Sequence, residues 1–199
     1  MSTALTREVQ PVSLSTMTRY RIKRPFWSFF ERTFRVFTMD GQLVMFVRHP
    51  LLRLREEFMV YADEGMQQPL LRVKSRQMVA INFSYDVTDA ASGELLGTVQ
   101  KRGLRSLFRD RFLILDASGA EIGYAEEQGA SILRRMFPLL TSKHAIFFHG
   151  VQAAFMRQIF RFFIKEFEVE LAPSSAEPRF VLAVALLALM AEARREDRS

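Results

Sequence analysis

Twelve consecutive residues near the C-terminus, Phe180 to Ala191 (FVLAVALLALMA), carry no polar or charged side chain. As an α-helix this run reaches about 18 Å at 1.5 Å per residue. A helix that spans a bilayer must cross about 30 Å of hydrocarbon. The run cannot be extended, because Arg179 bounds it on one side and Glu192 and Arg194 on the other. A helix with no polar face has to be surrounded by protein. Its large apolar side chains, at about 1.5–3 kcal/mol each, would contribute on the order of 12–24 kcal/mol before conformational entropy is counted. Ala183, Ala185, Ala188 and Ala191 leave room for close walls. The structure that can surround a single helix in this way is a closed sheet.

The helix is expected over residues 177–195. Ser174 and Ser175 offer capping oxygens, Glu177 suits the positive end, and Pro178 is tolerated in a first turn. Arg194 and Arg195 suit the negative end.

The middle of the chain supplies the sheet. Strand-like residues, an Asp, a Gly within a few positions and more strand-like residues recur along it. The unit appears around Asp40-Gly41, Asp63 and Gly65, Asp89 and Gly93, and Asp116 and Gly119. A less regular case turns at His149-Gly150. Asp opens tight turns by bonding its own backbone, Gly supplies positive φ, and the pairing between β-rich runs signals a hairpin. A calcium loop needs several oxygen ligands within one turn, and these units offer one dependable carboxylate each, apart from Asp63-Glu64. Turn chemistry is the better account. In KEFEVEL, Phe167, Val169 and Leu171 alternate with Glu166, Glu168 and Glu170, which predicts a strand. Residues 151, 155, 159 and 163 also fit a helical stripe; the stretch from Val151 to Phe163 is read as mainly strand.

The expected fold is therefore mainly β: about twelve strands closed into a barrel around a buried hydrophobic C-terminal helix. Residues 1–17 (MSTALTREVQPVSLSTM) are polar, lack a run of signal-peptide length and are expected to form a flexible tail. Residues 18–196 form one domain, which 199 residues with 49% hydrophobic and 25% charged content permit. Nineteen Phe residues favour sheet. The absence of Cys excludes disulfides, thiolate metal sites, Cys nucleophiles and palmitoylation, and fits a cytoplasmic protein.

The order of hairpins followed by an acid-Pro turn and an apolar helix resembles the LURP-one-related family, which shares its fold with phospholipid scramblases and the Tubby C-terminal domain. The resemblance is carried by YDVTDAASGELLGTVQKRGLRSLFRDRFLILDASGAEIGYAEE (85–127) and AEPRFVLAVALLALMAEARRED, and covers residues 18–196. It implies a twelve-stranded barrel wrapped around the C-terminal helix. Scramblases carry a Pro-rich N-terminal extension and a palmitoylated Cys cluster, and this chain has neither. The basic phosphoinositide pocket of Tubby domains has no residue-by-residue match here.

No GxSxG, HExxH, P-loop or GxGxxG motif occurs. His144 and His149 differ by an odd number, so on one strand they would face opposite ways and could not share an ion. His49, before Pro50, is expected in a loop, and all three histidines are read as surface or turn residues. No metal and no cofactor are expected, and an enzyme is not. The net charge of +6 is uneven: residues 1–111 carry 18 Lys and Arg against 11 Asp and Glu. The sharpest candidate is KRGLRSLFRDR, where Lys101, Arg102, Arg105, Arg109 and Arg111 surround Leu104, Leu107 and Phe108 at the spacing of one amphipathic helical turn. Such a segment suits an anionic bilayer surface, each cation adding about 1 kcal/mol; the plainer alternative is a short helix capping one barrel end with solvated arginines. A second basic group, Arg48, Arg53 and Arg55, brackets His49-Pro50. Nucleic acid is a weaker fit, since the aromatics of RPFWSFFERTFRVF (24–37) suit a barrel core better. The expected function is a non-enzymatic interaction or scaffold domain of the LURP-one-related type, touching anionic phospholipid or phosphoinositide headgroups peripherally. The rivals are a scramblase-like protein with its C-terminal helix in the bilayer and an undiscovered enzyme or small-ligand carrier, the carrier being disfavoured by a filled barrel.

Overall fold

The computed structural model describes residues 18–25, 31–50, 57–79, 82–101, 111–128, 142–161, 163–173 and 177–196. The expected tail, residues 1–17, the capping candidates Ser174 and Ser175, and Arg102, Arg105 and Arg109 lie outside them. Twelve strands follow in order: β1 (Arg19–Pro25), β2 (Glu31–Thr38), β3 (Leu43–Pro50), β4 (Glu57–Tyr61), β5 (Pro69–Val79), β6 (Asn82–Asp89), β7 (Leu95–Lys101), β8 (Arg111–Leu115), β9 (Glu121–Gln128), β10 (Lys143–Phe148), β11 (Val151–Ile159) and β12 (Ile164–Leu171). One helix follows, α1 (Pro178–Glu196), displaced by a single residue from the expected 177–195. Each strand pairs antiparallel with the next in the chain, and β12 returns to β1 to close the barrel.

The strands form because their side chains alternate. In β4 Phe58 and Val60 are buried, in β8 Phe112 and Ile114, with less buried residues between them. The inward set meets α1, on which every residue from Phe180 to Met190 is 5% exposed or less. Small residues set the clearance. A Cβ on Gly97 of β7 would stand 2.5 Å from the Phe180 ring, which also meets Phe148 edge-on at 6.0 Å. The start of α1 is capped by Glu177, whose Oε2 accepts the Phe180 N–H at 2.9 Å.

Turn chemistry accounts for the recurring aspartates. Asp116 Oδ1 accepts the Ser118 and Ala120 N–H groups at 2.8 and 2.9 Å. Asp89 does the same for Ala91 and Ser92 at 3.0 and 2.8 Å, and Asp63 for Gln67 and Gln68 at 3.1 and 2.8 Å. The turn at Asp40-Gly41 is fastened instead through Thr38 Oγ1, which accepts the Gln42 N–H at 3.0 Å.

One local expectation is corrected and two are narrowed. Residues 151–163, read as mainly strand, form strand from Val151 to Ile159. Their four-residue spacing mimicked a helix because an even interval also stays on one face of a strand. His49 is not in a loop: it lies in β3, opposite Arg32 of β2. Lys101 ends β7 and Arg111 begins β8, and the helical turn expected around Leu104, Leu107 and Phe108 lies outside the described residues.

Candidate functional site

An up-and-down barrel sorts its connections into two sets, one at each end. At the end where α1 begins, the connections are residues 39–42, 62–68, 90–94, 116–120, 149–150 and 172–177. They carry Asp40, Asp63, Glu64, Glu94, Asp116 and Glu177, and no Lys or Arg. At the other end the connecting sequences are 26–30, 51–56, 80–81, 102–110, 129–142 and 160–163. These hold eight Arg against Glu56 and Asp110, together with eight of the nineteen Phe and the single Trp27. The connections at one end are therefore acidic, and the sequences that join the strands at the other, most of them outside the described residues, are rich in arginine and aromatic residues.

At the acidic end, ion pairs tie the turns to the wall and the helix. Arg35 donates from Nε and Nη2 to Glu64 at 2.8 and 3.0 Å. Arg179 Nη1 donates to Asp89 Oδ2 at 2.6 Å and its Nε to Glu177 at 2.5 Å. The Ser92 backbone N–H, then the Ser92 hydroxyl and Arg179, hold the Asp89 carboxyl down at about 2, against the opposing effect of burial.

At the basic end, Lys101 and Arg111 stand on neighbouring antiparallel strands. They face differently. Lys101 Nζ lies 5.5 Å from the ring of the buried Phe112. The exposed Arg111 packs its guanidinium 3.6 Å from the centroid of Tyr124, which stacks on Phe147 at 4.8 Å. Arg48, exposed near the end of β3, lies 5.9 Å from the Phe46 ring. Thus two of the five predicted lipid-contact residues reach this end on opposite faces of the wall. Arg102, Arg105 and Arg109 fall between them in sequence.

Sequence reasoning missed the most exposed apolar group at this end among the described residues. Phe163 is 80% exposed, Phe160 49% and Ile164 43%. All three sit at the β11–β12 connection, where Ile164 pairs with Pro25 and Lys165 with Arg24. Arg161 Nε lies 3.6 Å from the buried Glu166, which also has Arg21 Nε at 2.9 Å, close but poorly aligned for a hydrogen bond. The FRFF sequence at 160–163 was the available signal, because aromatics between strands have no wall position to fill.

Beneath this end, inside the barrel, His144 Nε2 lies 2.9 Å from Glu192 Oε2. Both residues are buried, and Glu127, opposite His144 on β9, is buried too. The expectation of a surface histidine is overturned for His144, because the second residue of β10 points inward onto α1. His149 is a turn residue, at φ 49°. Among the described residues no group of three or more side chains could hold a metal ion. A shallow hollow on the outer wall is bordered by Arg19, Phe155, Arg157 and Glu168. It lies on the opposite side of the wall from α1, and its Arg157–Glu168 pair is closed at 2.5 Å.

No family model matches the chain, and no curated protein matches it in sequence. Among solved structures, an Arabidopsis thaliana protein is similar, with a TM-score of 0.52 and 11% identity over 89% of this chain and 95% of that one. At that identity the likeness shows the fold alone. The class is a closed twelve-stranded antiparallel barrel around a C-terminal helix. Among the described residues, no helix is long and apolar enough to cross a membrane.

Proposed function

We propose that this chain is a non-enzymatic barrel of the LURP-one-related, Tubby C-terminal-like type that binds anionic membrane surfaces peripherally through its basic end. The family part rests on the sequence resemblance, to which the barrel and its enclosed helix are congenial. The lipid part rests on one observation: the chain segregates charge by barrel end, with no Lys or Arg in the acidic connections and eight Arg against two acids in the others. A surface of lipid phosphates and carboxylates attracts the second set and repels the first. Each Lys or Arg held near such a surface contributes about 1 kcal/mol. The enclosed helix makes bilayer insertion in the scramblase manner the poorer reading, since its apolar side chains already face the wall.

The test is flotation with vesicles of phosphatidylcholine alone and with added phosphatidylserine, across a salt series. Binding should require the anionic lipid and weaken with salt, because exposed charges are screened within about 8 Å at physiological ionic strength. Arg105→Glu with Arg109→Glu should lower the partition at least about tenfold. Unchanged flotation of that variant removes the 101–111 segment from the site, and absence of wild-type flotation removes the lipid reading.

A further inference from the structure

We infer that Phe160 and Phe163, with Ile164, form an apolar wedge that enters the interfacial layer of an anionic bilayer when the basic end docks. The inference rests on the lipid reading above and adds which side chains leave water. Phe163 is 80% exposed, beside Phe160 at 49% and Ile164 at 43%, at a single connection. The area these side chains leave exposed is removed from water by something that docks on this connection.

The surroundings choose the occupant. Arg161 lies within the wedge and is exposed, while Lys165, half-buried, and the buried Arg24 are register partners just behind it on β12 and β1. The acid nearby, Glu166, is buried and is shared by Arg21 and Arg161. Exposed rings interleaved with Arg161, at the end whose connecting sequences hold eight Arg against two acids, match a bilayer interface, where acyl chains lie under a layer of anionic headgroups. A protein partner would need its own acidic rim around an apolar pocket. The vesicle experiment separates the two, because a protein partner predicts no change at the wedge when lipid alone is added.

The absence of Cys allows a single reporter thiol to be placed anywhere. Phe163→Cys and, as control, Ala91→Cys in the acidic β6–β7 turn are labelled with an environment-sensitive fluorophore and mixed with phosphatidylserine vesicles. The label at position 163 should brighten and shift to the blue, and that at position 91 should not. Phe160→Ser with Phe163→Ser should lower the partition by about tenfold per ring while the salt dependence persists. Equal thermal melts of these surface variants exclude a folding artefact. A water-like signal at position 163 on vesicles that do bind the protein overturns the wedge and leaves the electrostatic docking standing. Vesicles that bind no wild-type protein overturn both.

Discussion

His144 Nε2 of β10 lies 2.9 Å from Glu192 Oε2 of α1, so a polar bond fastens the barrel wall to the late turns of the helix. The two residues are 3% and 6% exposed. An imidazole N–H donating to a carboxylate in this setting is protected from competition by water. Glu192→Ala leaves that donor without its acceptor, which costs about 1–3 kcal/mol. The expected result is a lower urea midpoint with an unchanged slope. Glu192→Gln keeps an acceptor oxygen and should lose less. If alanine and glutamine variants melt together with the wild type, the bond does not hold the helix.

Asp89 gives the acidic end its own pH signature. Its carboxyl titrates at about 2, against 3.8 for a free side chain, because the Ser92 N–H, the Ser92 hydroxyl and Arg179 favour the ionised form. A depressed carboxylate stabilises the fold fully above its unfolded value, and the contribution disappears as pH falls from about 4 through about 2. The shift corresponds to about 2 kcal/mol. Asp89→Asn should therefore lower stability by about that amount at pH 7. The gap from wild type should close as the pH is brought towards 2. A gap that stays constant with pH would sink the assignment.

Much of this architecture can be read from residues alone, and the reason is periodicity. An apolar run too short for a bilayer and lacking a polar face dictated an enclosure. Asp-initiated turns at regular intervals supplied the strands to build it. What could not be read depends on pairs far apart in the chain. Glu192 looked like the boundary of the apolar run; its bond to His144 spans 48 residues and has no local signal. His49 looked like loop because Pro follows it, yet a proline at the last residue of a strand is compatible with pairing. The candidate site was half legible. The basic segment 101–111 was visible as a local cluster, but the opposition of an acidic and a basic end emerges only when alternate connections are sorted by topology. Phe160 and Phe163 were hidden because the stretch before them also satisfied a helical spacing.

Packing between α1 and β7 is tight enough to test with one methyl group. A Cβ at position 97 would stand 2.5 Å from Phe180 Cζ and 2.7 Å from the Leu115 carbonyl oxygen. The ring is 2% exposed and wedged against Phe148, so it has little room to retreat. Gly97→Ala should cost about 1–3 kcal/mol through overpacking. Adding Phe180→Leu should recover part of the loss, since the smaller side chain withdraws the atoms that collide. Calorimetric melts of the single and double variants measure this coupling. Additive effects would show that the strain lies against the Leu115 carbonyl instead.

The opposition of the two ends predicts an orientation as well as binding. The strands that carry Lys143 and follow Glu94 have six and seven residues, about 20–23 Å, which a tilt of about 40° turns into about 15–18 Å between the ends, about two screening lengths at physiological salt. Charges at the acidic end should therefore be felt only weakly by a membrane touching the basic end. Lys143, exposed at the start of β10, belongs to the basic end, and Glu94, exposed just before β7, to the acidic one. Lys143→Gln should weaken flotation with phosphatidylserine vesicles about fivefold, the equivalent of about 1 kcal/mol. Glu94→Gln should change it by far less. Both substitutions remove one charge, so their difference reports geometry and not net charge. Equal effects of opposite sign would mean that attraction follows total charge with no preferred face, and a response confined to Glu94 would place the opposite end against the lipid.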